Sequence, residues 1–87
     1  MRITETSQFR KDFKRQLKRG KDKQKLFGFL EILVEGMDPP ERYKDHPLKG
    51  DWVNRRDCHL EPDWVLIYQK NKQEIILERT GSHSDLF

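Results

Sequence analysis

The sequence holds a single cysteine, Cys58, among 87 residues. One thiol cannot build an internal disulfide framework, and its scarcity fits a reducing compartment. Long hydrophobic runs are missing as well. The longest unbroken apolar stretch is Trp64–Tyr68, far short of a membrane span. Met1-Arg2-Ile3-Thr4-Glu5 opens the chain without an apolar signal region. A soluble, cytoplasmic domain is the expectation. No repeat, low-complexity tract or linker divides the chain, so residues 1–87 are expected to form one domain with one thin core.

What is abundant is charge, at 38% of residues, yet the net sum is only +3. Leu, Ile, Val and Phe make up 22 of the 87 residues, above the range of disordered chains. The charge is unevenly placed. Residues 1–45 carry 12 basic and 8 acidic side chains, whereas residues 46–87 carry 6 and 7. All three histidines lie in the second half.

Arg2–Thr6 reads as a short opening strand. Thr6 or Ser7 can cap a following helix, with Phe9, Phe13 and Leu17 at spacing four as its inward stripe. Gly20 after Lys18-Arg19 stops it. Asp22 caps a second helix whose apolar face is Leu26, Leu30, Leu33, Val34 and Met37, widened by Phe27, Phe29 and Ile32. Asp38-Pro39-Pro40 ends it. Strands follow: Asp51–Leu60, with Trp52, Cys58 and Leu60 on one face; Asp63–Gln69, apolar enough for burial on both faces; and Gln73–Thr80 after an Asn71-Lys72 hairpin. Gly81–Phe87 is a tail. The predicted fold is α+β, in the order β-α-α-β-β-β, with a helical hairpin packed on a small, mainly antiparallel sheet.

Two features carry possible chemistry. Arg10–Lys25 places nine basic residues against Asp12 and Asp22. Lys11, Lys14, Arg15 and Lys18 turn away from the apolar stripe and suit phosphate contacts. The alternative is a solvated helix face, and an acidic protein would satisfy the same charge. The second feature is the scatter of His46, His59, Asp63, Arg79 and His83 around the sheet. The Glu61-Pro62 turn places His59 and Asp63 at neighbouring positions on paired strands, and Gly81 lets His83 return over the sheet. These residue types suit RNA cleavage. A base must take the proton of an attacking 2′-hydroxyl, an acid must protonate the leaving 5′-oxygen, and an Arg fork can hold the developing phosphorane. Three isolated histidines can equally be surface or capping groups. No ligand pair has zinc spacing, and adjacent Cys58 and His59 point to opposite strand faces, so no metal and no cofactor is expected. Trp64 and Phe87 flank the histidines. Phe87, near the end of the sequence, is the better candidate for base stacking, while Trp52 and Tyr68 read as core.

The stretch from Tyr43 to Gly50 (Tyr-Lys-Asp-His-Pro-Leu-Lys-Gly), followed by Trp52, resembles the YafQ toxins of the RelE/ParE superfamily. So do Arg56–Tyr68, Leu77–His83 and the final Leu86-Phe87. The match is dense from Tyr43 to Phe87 and only one of pattern before that. The resemblance implies a toxin of a type II toxin–antitoxin system, an mRNA interferase that cuts messenger RNA in the ribosomal A site, with a cognate antitoxin as partner and a basic surface against ribosomal RNA. It implies that His46, His59, Asp63 and His83 form the acid–base group, with His83 as proton donor. Arg79 would hold the scissile phosphate, and Trp64 and Phe87 would position the substrate or the site. Two other readings stand beside this one: a non-enzymatic ParE-like inhibitor of DNA gyrase, and a basic nucleic-acid-binding module with structural histidines.

Overall fold

A computed structural model describes all residues, 1–87. The elements are β1 (Arg2–Glu5), α1 (Ser7–Lys18), α2 (Lys23–Val34), β2 (His46–Pro47), β3 (Arg56–Glu61), β4 (Trp64–Lys70), β5 (Glu74–Gly81) and α3 (His83–Leu86), with single 3₁₀ turns at Glu41–Tyr43 and Gly50–Trp52. The sheet order is β1-β5-β4-β3-β2. Only the β1–β5 pair is parallel; the β2–β3, β3–β4 and β4–β5 pairs are antiparallel.

The predicted α+β class and helical hairpin are what the chain forms. Thr6 caps α1, its hydroxyl accepting from the Phe9 N–H at 2.9 Å. Asp22 caps α2 through the Gln24 N–H at 2.9 Å. The apolar run Trp64–Tyr68 became the middle strand, and all five residues are buried. The core joins Phe9, Leu26, Phe29, Leu30 and Leu33 of the helices to Cys58, Leu60, Trp64, Leu66, Tyr68, Ile75 and Leu77 of the sheet. Each such large side chain contributes about 1.5–3 kcal/mol on full burial.

Several elements differ from the sequence reading. The stretch before β3 is a 3₁₀ turn, and the strand begins only at Arg56. A two-residue strand, His46–Pro47, adds an edge that the pattern did not announce. The tail is a helix, α3, closed by a capping box between Ser82 and Asp85. Val34 and Met37 are exposed, and Phe29 takes the inward position.

The inward stripe of α1 is also different. Leu17 is exposed, whereas Asp12 and Gln16 are buried beside Phe9. The reason lies in the sheet. β1 stops at Glu5, opposite Leu77, so β5 continues beyond it with an unpaired edge. A buried backbone N–H needs an acceptor, and α1 supplies one. The Asp12 Oδ2 accepts from the Thr80 N–H at 3.2 Å and from Arg79 Nε at 2.7 Å, while its Oδ1 accepts from Arg79 Nη2 at 3.2 Å and Gln8 Nε2 at 2.9 Å. A carboxylate thus joins the inward face of a helix whose spacing of four put only Phe9, Phe13 and Leu17 there. No helix is long and apolar enough to cross a membrane.

Candidate functional site

Strand register builds the site. His46 pairs with Asp57, Asp57 with Ile67, and Ile67 with Arg79, giving one cross-strand row. The next row on the same face is His59, Val65 and Gly81. Directly paired residues share a face, so His46, Asp57, His59 and Arg79 all belong to one side of the sheet. Cys58 points to the other side, into the core, where burial pushes its thiol well up and leaves it unreactive.

Asp63 lies in the β3–β4 turn rather than on a strand, correcting the expected pairing with His59. From that turn it reaches α3. Its Oδ1 accepts from the His83 backbone N–H at 2.9 Å and from the His83 ring Nδ1 at 2.7 Å. These two bonds hold the Asp63 carboxyl below its usual range. A carboxylate can only accept, so Nδ1 carries the proton and Nε2 of His83 is the working nitrogen. That nitrogen stands 3.3 Å from Nε2 of His59, with ring centroids 5.2 Å apart. One proton therefore serves the facing pair. Burial, with the charge of His83 nearby, lowers the His59 pKa, although Asp57 opposes this. Burial thus disfavours the charged form of His59.

His46 is fixed differently. Its Nδ1 lies 2.8 Å from the Lys44 carbonyl and 3.0 Å from Asp57 Oδ1. Both partners can only accept, so Nδ1 carries a proton, and its hydrogen bond goes to the Lys44 carbonyl. Asp57 Oδ1 is left without a hydrogen-bond donor although the side chain is almost fully buried. Burial raises the Asp57 pKa, against the pull of His46, His59 and His83. Sequence reasoning missed Asp57. Alternation did carry the signal, because Asp57 is two residues from His59 on the same strand.

The loop bearing His46 is anchored from below. Asp45 accepts from Arg56 Nε at 2.6 Å and from the Tyr68 hydroxyl. Tyr68 is thus core, as expected, and also a tether for this loop. On the other flank, Gly81 makes room for α3: a Cβ there would stand 2.9 Å from Asp85 Cβ and Oδ2. Arg19 Nη1, at the end of α1, binds Asp85 Oδ2 at 2.7 Å and ties α3 to the helical layer.

The remaining expected residues separate into contacts and supports. Phe87 is exposed, its ring centroid 6.4 Å from that of His83. Trp64 is fully buried, and its indole N–H donates to Thr80 Oγ1 at 2.9 Å. It cannot touch RNA here, which corrects the expected RNA contact and leaves support of β4 and β5 from inside. Arg79 gives two of its five N–H groups to Asp12, and three remain. Lys11, Lys14, Arg15 and Lys18 are exposed along α1 and make no ion pairs. In the same basic segment, Arg19, Lys21 and Lys25 are occupied by Asp85 and Glu61. No three His, Cys, Asp or Glu side chains converge in metal-holding geometry; the facing nitrogens of His59 and His83 are the nearest approach to a ligand pair.

Fold and site together define a small basic α+β protein in which His59 of one sheet face meets the carboxylate-backed His83 of α3, an arrangement suited to proton transfer. Comparison with known proteins makes the class specific. The model of the YafQ family, bacterial toxins of type II toxin–antitoxin systems, matches residues 1–87. The mRNA interferase toxin YafQ of Escherichia coli K12 is 45% identical over 86 residues, 98% of this chain and 94% of that protein. The crystal structure of the E. coli DinJ-YafQ complex superposes with a TM-score of 0.91 at 44% identity, covering 100% of this chain and 99% of that one. A copper-bound variant toxin from Helicobacter pylori reaches a TM-score of 0.94 at 37% identity, with 100% and 99% coverage. The chain belongs to the YafQ toxin family.

Proposed function

We propose that His46, His59, Asp63 and His83 carry out the endoribonuclease reaction of this mRNA interferase, on messenger RNA in the ribosomal A site. The observation that carries the reading is the His59–His83 pair, its Nε2 atoms 3.3 Å apart with Asp63 behind His83.

A 2′-hydroxyl is a weak acid, and cleavage needs its proton removed as the oxygen attacks phosphorus. Nε2 of His46, or His59, takes that proton. The bond from phosphorus to the 5′-oxygen then breaks, and His83 Nε2 donates its proton to the departing oxygen. The products are a 2′,3′-cyclic phosphate and a 5′-hydroxyl. Each transfer contributes about 10²–10⁴-fold. Asp63 fixes the tautomer and the orientation of His83, as a carboxylate behind a catalytic imidazole does. The three spare N–H groups of Arg79 face the phosphorane, with Asp12 holding the guanidinium in place. Phe87 stacks on a base beside the cut.

Lys11, Lys14, Arg15 and Lys18 dock the toxin on ribosomal RNA, which makes binding steeply dependent on salt. The protein acts in the cytoplasm, where ribosomes are. Its antitoxin, the partner that family membership implies, finds a ready surface in the apolar groove between β1 and α2. Ile3, Phe13, Phe27, Leu30 and Val34 line it, beside the open hydrogen-bonding edge of β1.

Primer extension on an mRNA translated with and without the purified chain tests this. Cuts should appear in frame with codons during translation and be nearly absent from free RNA. Uncut mRNA under translation would end the reading.

A further inference from the structure

We propose that the pocket beside His59 is a second nucleotide subsite, which takes the base on the side of the cut opposite Phe87; this rests on the RNA-cleavage reading above. The pocket measures about 240 Å³ and is framed by Arg42, Tyr43 and Lys44 on one wall and His59–Pro62 on the other. Drug-sized ligands occupy about 300–1,000 Å³, so this space suits one base rather than a larger ligand.

Its position is the first argument. Phe87 neighbours His83, His83 faces His59, and His59 lines the pocket. A strand of RNA with its scissile phosphate at the two histidines has one nucleotide on each side. Phe87 offers a ring to one of them, and the pocket lies where the other must pass.

Its chemistry is the second. The Arg42 guanidinium carbon sits 4.7 Å from the Tyr43 ring centroid, and Arg42 Nη2 donates to the Tyr43 hydroxyl at 3.3 Å. Tyr43 is itself held edge-on against Phe29, with centroids 4.9 Å apart, so the core fixes the platform before substrate arrives. Arginine planes and aromatic rings are the surfaces on which unpaired RNA bases stack. Leu60 and Pro62 also line it. The one acidic residue on the rim, Glu61, is bound by Lys21 Nζ at 2.7 Å and Lys25 Nζ at 2.8 Å, so no free anion repels the RNA.

Lys44 links the pocket to the reaction. It adopts a left-handed backbone, φ 49°, uncommon for a residue other than glycine. That turn sends its carbonyl to His46 Nδ1 at 2.8 Å, while the residue also frames the pocket. A base seated here rests against the same residue that sets the His46 tautomer.

The test is the map of cut sites made by the full-length Arg42→Ala and Arg42→Glu variants in a translating extract. Arg42 is exposed, so both should fold. Cutting at the favoured sites should fall about tenfold, and the nucleotide preference at one position next to the cut should flatten. Identical sites in identical proportions would overturn the subsite while leaving the catalytic cluster intact. A uniform fall at every site would also overturn it, since that marks a phosphate contact. If the wild-type chain cuts nothing, both readings fall together.

Discussion

His83→Gln should reduce mRNA cleavage by about 10²–10⁴-fold while leaving the fold in place. Glutamine keeps a polar side chain but has no titrating proton to give to the leaving 5′-oxygen. The cost to stability should be small. The His83 side chain is about half exposed, and its backbone N–H still donates to Asp63, so entry into α3 is kept. A change of less than about 1 kcal/mol is expected at such a surface position. The two readouts are cleavage by primer extension and the thermal midpoint of the purified variant. Normal cleavage would remove His83 from the mechanism, whereas a large fall in the midpoint would mean that lost activity reports unfolding.

Asp12→Ala should have the opposite signature: a large loss of stability, with activity falling as a consequence. Asp12 is 3% exposed and accepts from Arg79 twice, from the Thr80 N–H and from Gln8. Removing it strands a guanidinium and a buried backbone donor at once. Breaking a buried pair from one side costs about 3–5 kcal/mol, and the partial exposure of Arg79 puts this case near the lower end, about 3 kcal/mol. Small domains hold about 5–15 kcal/mol in total, and each kcal/mol moves the midpoint by about 4–8 °C at this size. A fall of roughly 12–24 °C follows. Asp12 also gives the stability a pH signature. Burial would raise its pKa, but the bonds from Arg79, Gln8 and Thr80 outweigh burial and hold it below the ordinary 3.8. The folded state therefore binds this proton more weakly than the unfolded chain. The stabilisation is present above about pH 4 and is lost as pH falls through the lowered pKa. Asp12→Asn should lack that acid-side loss. Denaturant melts of wild type and variant between pH 2 and 7 measure it, and a constant gap between the two curves would contradict the assignment.

The same aspartate shows where sequence reading stops. Phe9, Phe13 and Leu17 follow a clean spacing of four, yet Leu17 faces water and Asp12 faces in. Nothing in α1 itself announces this. The cause is the end of β1 at Glu5, which leaves part of β5 without a neighbour, and that is a fact of register between segments some seventy residues apart. The sheet face carrying the histidines was more legible. The alternation that sends Cys58 inward sends Asp57 and His59 outward together, and the turn at Glu61-Pro62 fixes where Asp63 falls. What sequence could not give was the fine position of each group. Asp63 serves His83 from the turn rather than from a strand, and His46 draws its orientation from a left-handed Lys44. Trp64 flanks the histidines in sequence, and the family resemblance alone gives it a place beside the substrate or the site. One residue separates an exposed turn from a fully buried strand, and only coordinates show on which side of that border it lies.

The basic segment was read as one feature and is two. Lys11, Lys14, Arg15 and Lys18 face solvent, while Arg19, Lys21 and Lys25 hold α3 and the β3–β4 hairpin through Asp85 and Glu61. The modest net charge thus combines an unpaired, exposed basic face with cations that brace the site.

The central claim is that the histidine cluster drives attack by the substrate's own 2′-hydroxyl. It is tested most directly by an mRNA carrying a single 2′-deoxynucleotide immediately 5′ of a mapped cut, presented in a translating ribosome. The prediction is that cutting at that position disappears while neighbouring sites are still cut. Cleavage there at the unmodified rate would contradict it, because the attacking oxygen would then have to come from elsewhere.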